Sequence, residues 1–295
     1  MKKRMVLASL VMLVVAGCTQ SAEKEYVRKA VKLMDRHALF AEGPAWDEAR
    51  SEALSAEPAS MEEAYEVTLK ALKLSGGKHS FIWTREGQHD AAETDLAVSP
   101  HVGLQEDGIA VIVLPHFIAQ EQQEMRRYAL CVLDSLPESL PGAVIDLRGN
   151  TGGNMYPMAA AVHPLLAGDV VLKFRTRRFT SPITRSYFPK SVGMDARPAV
   201  DCPVALLVDS LTASAAEMVM LCFRGQERTR VFGVPTAGYT SGNQLYPMPD
   251  GSKLALTTSS TLARTGEEFC NDPIAPDVET DRPLEDALAW LRQEH

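Results

Sequence analysis

Basic residues are in short supply. Lys and Arg number 30 against 38 Asp and Glu, a formal net charge of −8, and three of the cations fall within the first four residues. So acidic a chain argues against nucleic-acid binding and against adhesion to anionic lipid by charge alone. Cysteine is scarce too, five in 295 residues, and no two have the close spacing of metal ligands, so no metal centre is expected. Past residue 18 no apolar run is long enough for a transmembrane helix. Internal repeats and low-complexity tracts are missing as well. What is present is a 45% apolar composition, enough for a sizeable core.

The amino terminus carries its own signal. Lys2, Lys3 and Arg4 precede an apolar run, Met5 to Ala16, which has the length of a signal h-region and is short for a membrane span. It ends in Val15-Ala16-Gly17-Cys18, which resembles a bacterial lipobox. Cleavage after residue 17 would leave Cys18 as an acylated N-terminus, and several acyl chains make a stable anchor. An ordinary signal peptide with an incidental cysteine is the plainer alternative. Thr19 follows, with no Asp there to retain the protein at an inner membrane. The expected location is therefore the cell envelope, on the outer membrane facing the periplasm if the host is Gram-negative. Export would permit disulfides among Cys131, Cys202, Cys222 and Cys270, although buried free thiols fit equally well.

The mature chain divides by pattern. Residues 18–78 read as a helical subdomain: Val27, Ala30, Val31, Met34 and His37 recur at helical spacing. A further helix runs from about Ser60 to Leu74, opened by a Ser60/Glu63 capping box and stopped by Gly76-Gly77. Trp46 stands between them as a packing anchor. Residues 79–295 read as an α/β core. Strands are expected at Phe81–Thr84, Ile109–Leu114, Ala143–Leu147, Val204–Val208 and Arg230–Gly233, and helices at about 121–135, 155–166, 214–223 and 283–292. Residues 242–262 suggest a hairpin turning at Pro249-Asp250-Gly251.

Three segments could carry chemistry. Thr212-Ala213-Ser214-Ala215-Ala216-Glu217 follows a strand, so Ser214 would lie at a helix N-terminus, where free N–H groups favour developing negative charge. The bland reading is a Ser214/Glu217 capping box. Asp146-Leu147-Arg148-Gly149-Asn150-Thr151-Gly152-Gly153 is a second strand–turn junction whose glycines leave backbone amides open. Gly153 and Ala215 could then form an oxyanion hole. A phosphate loop is the rival, but no Lys-Ser/Thr pair follows the glycines. His79, one of seven histidines, sits in the glycine-loosened turn Ser75-Gly76-Gly77-Lys78-His79-Ser80, where an isolated histidine is most often simply solvated. His116 is the runner-up as a base, and His163, beside Pro164 within a helix, reads as structural.

With Phe232-Gly233-Val234-Pro235-Thr236-Ala237-Gly238 and Ile274-Ala275-Pro276-Asp277, these segments resemble, in order and spacing, the superfamily of C-terminal-processing peptidases, tricorn cores and interphotoreceptor retinoid-binding proteins. The resemblance covers about residues 60–280. It implies an α/β spiral core of the crotonase or ClpP-like αββ kind and a serine peptidase of the tail-specific protease family, acting on peptide or protein without a cofactor. Two departures point to a branch. Tyr239 stands after Gly238 where the serine–lysine enzymes have their base, and no lysine lies between Lys190 and Lys253. About thirty residues separate His79 from Ile109, too few for a PDZ insertion. The tricorn type remains, in which the histidine of a His-Ser pair is the base, and His79-Ser80 matches it. Such enzymes add an acid near the closing proline-aspartate, for which Glu268 and Asp272 are the candidates. A non-catalytic ligand-binding lipoprotein, an esterase on the same fold, and an assembly protein docking through residues 25–75 stay open as alternatives.

Overall fold

A computed structural model describes residues 21–87 and 99–294. The signal segment and Cys18 lie outside the described residues. The chain opens with α1 (Ala22–His37), α2 (Pro44–Ser55) and α3 (Met61–Gly76). A single 3-10 turn, Gly77–His79, then leads into β1 (Phe81–Trp83), β2 (His101–Leu104) and β3 (Ala110–Val113). Next come α4 (Gln122–Leu133), β4 (Ala143–Asp146), α5 (Met155–Val162), β5 (Val170–Arg175), β6 (Thr180–Thr184) and α6 (Tyr187–Ser191). The carboxy-terminal part adds β7 (Val204–Val208), α7 (Ala215–Phe223), β8 (Thr229–Gly233), β9 (Gly242–Pro247) and β10 (Lys253–Ala263). The last elements are β11 (Glu268–Phe269), β12 (Val278–Glu279) and α8 (Pro283–Leu291).

Two six-stranded sheets organise this mixed α/β fold. The first runs β12-β8-β7-β4-β3-β2, parallel except for the antiparallel edge strand β2. β4 and β7 are buried along their whole length, which is why they read as unbroken apolar runs. One face packs on α4, α5 and α7, and the other on Trp290 and Leu291 of α8. Every residue of α7 is buried, so that helix is apolar almost all round. Full burial of one side chain such as Phe223 contributes roughly 1.5–3 kcal/mol.

The second sheet is built on β10. Its first half pairs with β1 and β9, its second half with β5 and β11, and β6 extends the edge. A register shift at Thr257/Ser259 marks the change. The amino-terminal helices cover this sheet. Tyr26, Val27, Ala30, Val31 and Met34 of α1 join one apolar cluster with Met248, Leu254 and Leu256 from the β9–β10 region.

Several elements depart from the expectations. Residues around Trp46 form α2, whose only buried positions are Trp46 and Ala53, too few to print a helical period. Trp46 is nevertheless the anchor expected of it, and its Nε1 donates to Asp35 at 3.0 Å. The β5–β6 hairpin was not foreseen either, since its strands are only partly buried. α5 stops at Val162, and Pro164 lies in the 3-10 turn that follows. The four cysteines within the described residues are free thiols, with Cys202 and Cys222 buried.

Candidate active site

Ser214 ends the loop that leaves β7. Asp209 shapes that loop by accepting the amides of Leu211 at 3.0 Å and Thr212 at 2.9 Å, and it also accepts the Gly149 N–H at 3.0 Å. One carboxylate thus ties the nucleophile loop to the glycine turn. The turn is fixed again by Ala213 N–H on the Asn150 carbonyl at 3.0 Å and by the Asn150 side chain, which donates to Leu114 and accepts from Gly152. A Cβ on Gly152 would lie 2.8 Å from Ser214 Cβ, and one on Gly153 only 2.1 Å from the Phe117 carbonyl oxygen. Both positions also have positive φ, so only glycine brings this turn so close.

Ser214 itself has φ 52° and ψ −113°, a conformation that non-glycine residues seldom hold. It stands at the N-terminus of α7, with its Oγ 3.0 Å from His79 Nε2. Gly153 and Ala215 both line the cleft that holds Ser214, and the amide of neither has an acceptor among the described residues.

Glu217 is fully buried one turn further on. Its Oε2 accepts the amides of Ser214 and Tyr239, both at 2.8 Å. Its Oε1 accepts the Gly238 amide at 2.8 Å and the Thr236 hydroxyl at 2.5 Å. Burial pushes its pKa up, while these hydrogen bonds oppose the shift. Three backbone amides and one hydroxyl converge on it. The capping-box reading and the catalytic reading of this segment therefore coexist: Glu217 takes the Ser214 amide, and the Ser214 hydroxyl meets His79.

His79 follows directly from α3. It is buried, and burial is the main cause that lowers its pKa to about 4, with Lys78 adding to the shift. The imidazole is therefore neutral at pH 7, the state a general base requires. Its carbonyl accepts from Asn243 Nδ2 at 2.6 Å. Tyr239 meets the ring edge-on at 5.3 Å, and the Lys78 ammonium lies over Tyr239. The residue that meets Ser214 is His79 and not His116. His163 is structural, its Nδ1 on the Ala160 carbonyl and its Nε2 on the Arg197 amide.

Neither expected acid faces the ring. Glu268 lies in β11, whose pairing with β10 turns it to Arg175 at 2.6 Å and to the Ser260 hydroxyl. Asp272 is held through its backbone, which bonds the Thr240 hydroxyl at both N–H and carbonyl. Instead Ser241 Oγ lies 2.9 Å from His79 Nδ1 and donates to Asn271 Oδ1 at 3.0 Å. Asn271, which has a left-handed φ of 65°, and not its neighbour Asp272, takes the Ser241 hydroxyl. Asparagine between two acidic residues in a loop gave a weak signal, and Ser241 gave none.

Residues 108–280 match the model of peptidase family S41. The chain belongs to peptidase family S41. A nisin-resistance protein of Lactococcus lactis subsp. lactis is 30% identical over 285 residues, covering 92% of this chain and 87% of that one. A carboxy-terminal-processing protease of Bartonella bacilliformis is 26% identical over 149 residues, which is 50% of this chain and 32% of that protein. The S41 chain thus spans about a third of that processing enzyme. Among solved structures, a lipoprotein from Streptococcus agalactiae superposes with a TM-score of 0.85 at 27% identity, over 95% of this chain and 99% of that one. The photosystem II D1 C-terminal processing protease, at 14% identity, shares the fold with a TM-score of 0.60, over 89% and 94% of the two chains. The resemblance drawn from four short motifs is borne out at the level of family and fold.

The S41 site opens into a cleft of about 1310 Å³, larger than a typical small-molecule pocket. Phe81, Phe179, Leu211 and Leu245 are exposed apolar residues on its walls. Among the described residues that line it, Lys78 alone carries a fixed charge.

Proposed function

We propose that the chain is a serine peptidase that hydrolyses peptide bonds through an acyl-enzyme. The observation that carries this reading is the 3.0 Å contact of Ser214 Oγ with the neutral His79 Nε2, beside two unoccupied amides. His79 takes the Ser214 proton as the hydroxyl oxygen attacks the peptide carbonyl, and the amides of Gly153 and Ala215 bind the oxyanion. His79 then returns the proton to the leaving amine, and water attacks the ester by the same route in reverse. A binding protein has no use for this contact or for the strained backbone at Ser214.

The cleft suits a peptide several residues long, with apolar side chains set against Phe81, Phe179 and Leu245. The name of the Lactococcus relative makes nisin the first substrate to try. Mass spectrometry of nisin incubated with the protein is expected to show discrete fragments, and none with Ser214→Ala. Intact nisin beside an enzyme that a fluorophosphonate labels would remove nisin and keep the chemistry. Failure of both labelling and cleavage would sink the peptidase reading.

The same proposal places the protein in the cell envelope, anchored by acyl chains on Cys18. The lipobox-like Val15-Ala16-Gly17-Cys18 supports it. Cells fed radiolabelled palmitate should label the wild-type chain and not Cys18→Ser. Equal labelling of both would exclude Cys18 as the attachment point.

A further inference from the structure

Hydrogen-bond direction at His79 is set from a distance. Asn271 Oδ1 can only accept, so the Ser241 hydroxyl donates to it at 3.0 Å. Having spent its proton there, Ser241 Oγ accepts from His79 Nδ1 at 2.9 Å. The imidazole proton therefore sits on Nδ1, and Nε2 presents its lone pair to Ser214. The opposite orientation of the Asn271 amide would reverse every bond, put the proton on Nε2 and leave no base. In the structure Oδ1 faces the Ser241 hydroxyl and Nδ2 faces Gly77. Asn271 keeps a left-handed φ of 65°, which asparagine tolerates better than most residues. Its Nδ2 points to Gly77, where a Cβ would lie 3.1 Å away. The loop behind it is clamped at Gly238, where a Cβ would come 2.5 Å from Pro273 N.

We propose that Ser241 and Asn271 are the positioning pair of this site, an uncharged relay that fixes the Nδ1–H tautomer of His79 where a carboxylate would otherwise stand. This rests on the serine-peptidase reading. A carboxylate orients the ring and stabilises the imidazolium with a full charge, whereas here the imidazolium is favoured only by a hydrogen bond to the Ser241 backbone, which burial outweighs. The base should consequently stay neutral, and the serine active, well into acid. The charged and titratable groups around the ring are Lys78 on its own turn, Tyr239 edge-on to it, Cys270 and Asp272 flanking Asn271, and Glu217 behind Ser214. Of these, Lys78 joins burial in disfavouring the imidazolium, and burial is the larger cause.

The test is the rate of labelling by a fluorophosphonate as a function of pH, on the full chain in detergent, with circular dichroism at each pH. Wild type should keep its plateau rate down to about pH 5 and lose it with a midpoint near 4. Asn271→Asp places a carboxylate on the relay, and the midpoint should rise by about one pH unit or more. Asn271→Gly keeps the left-handed backbone and deletes only the acceptor; with Ser241→Ala, it should lower the plateau rate about tenfold or more. Asp272→Asn should leave the midpoint in place. Imidazole ¹⁵N shifts should show the Nδ1–H tautomer in wild type and a mixture in Asn271→Gly. An unmoved midpoint in Asn271→Asp, a moved one in Asp272→Asn, or an Nε2–H tautomer in wild type overturns the relay. Absence of labelling in folded wild type at every pH would instead strike the peptidase reading, and the ¹⁵N shifts would still decide the tautomer.

Discussion

Ser214→Ala is expected to abolish labelling by a fluorophosphonate and to lower kcat/KM by roughly 10⁴-fold or more. Among the described residues no other hydroxyl shares the position of Ser214, at the N-terminus of a buried helix and 3.0 Å from an imidazole nitrogen. His79→Ala is expected to cost nearly as much, because a serine hydroxyl without a base is a weak nucleophile at neutral pH. The double variant should be scarcely worse than either single one, since residues acting as a unit are far from additive. The measurement is single-turnover labelling of each variant beside wild type, followed by steady-state turnover of a cleaved peptide. Labelling that survived in His79→Ala would keep the serine and transfer the base to His116. Labelling that survived in Ser214→Ala would end the assignment.

The second large effect is expected at Glu217, which never touches the reacting atoms. Glu217→Gln keeps the shape and turns one acceptor oxygen into an amide donor. Two of its four partners, drawn from the Ser214, Gly238 and Tyr239 amides and the Thr236 hydroxyl, then face another donor. An unsatisfied buried donor costs about 1–3 kcal/mol. A loss of about 3 kcal/mol, or ~6–12 °C in Tm, follows for this variant. The labelling rate should fall at least ~100-fold even in the fraction that remains folded, since roughly 3 kcal/mol acts on the turn that carries Ser214. Thermal melts followed by circular dichroism, with labelling well below the transition, separate the two effects. A Glu217→Gln protein that melts and labels like wild type would show that the carboxylate is only a helix cap.

Much of the core could be read from the sequence because its strands are buried on both faces. Ala143–Asp146 and Val204–Val208 show no alternation, and their shortness, valine content and flanking turn residues favour central strands over buried helix. Ser214 and His79 were legible only together with the family order of motifs, as each alone has an ordinary structural reading. The elements that escaped are those whose burial comes from partners far along the chain. α2 has two buried residues and no visible period. The β5–β6 hairpin is satisfied by β10, some eighty residues later. The same holds in the site. Ser241 meets His79 across a separation of 162 residues and Asn271 meets Ser241 across 30, and local pattern does not report contacts of that kind. Charge-seeking logic pointed to Glu268 and Asp272, but the uncharged Asn271 between them takes the Ser241 hydroxyl.

β10 carries one further consequence. Its first half is covered by the amino-terminal helices, and its second half pairs with β5. The base arrives at the end of α3, while the nucleophile and the relay come from the other side of that strand. Neither half of the molecule alone holds a complete site. During synthesis His79 emerges first, Ser214 later and Asn271 later still, so the serine acquires its partners only after the closing segment has folded back. In a nascent chain, or one whose helices have lifted from the sheet, His79 and Ser214 lie apart, so the topology itself keeps the pair from forming before the whole chain has closed.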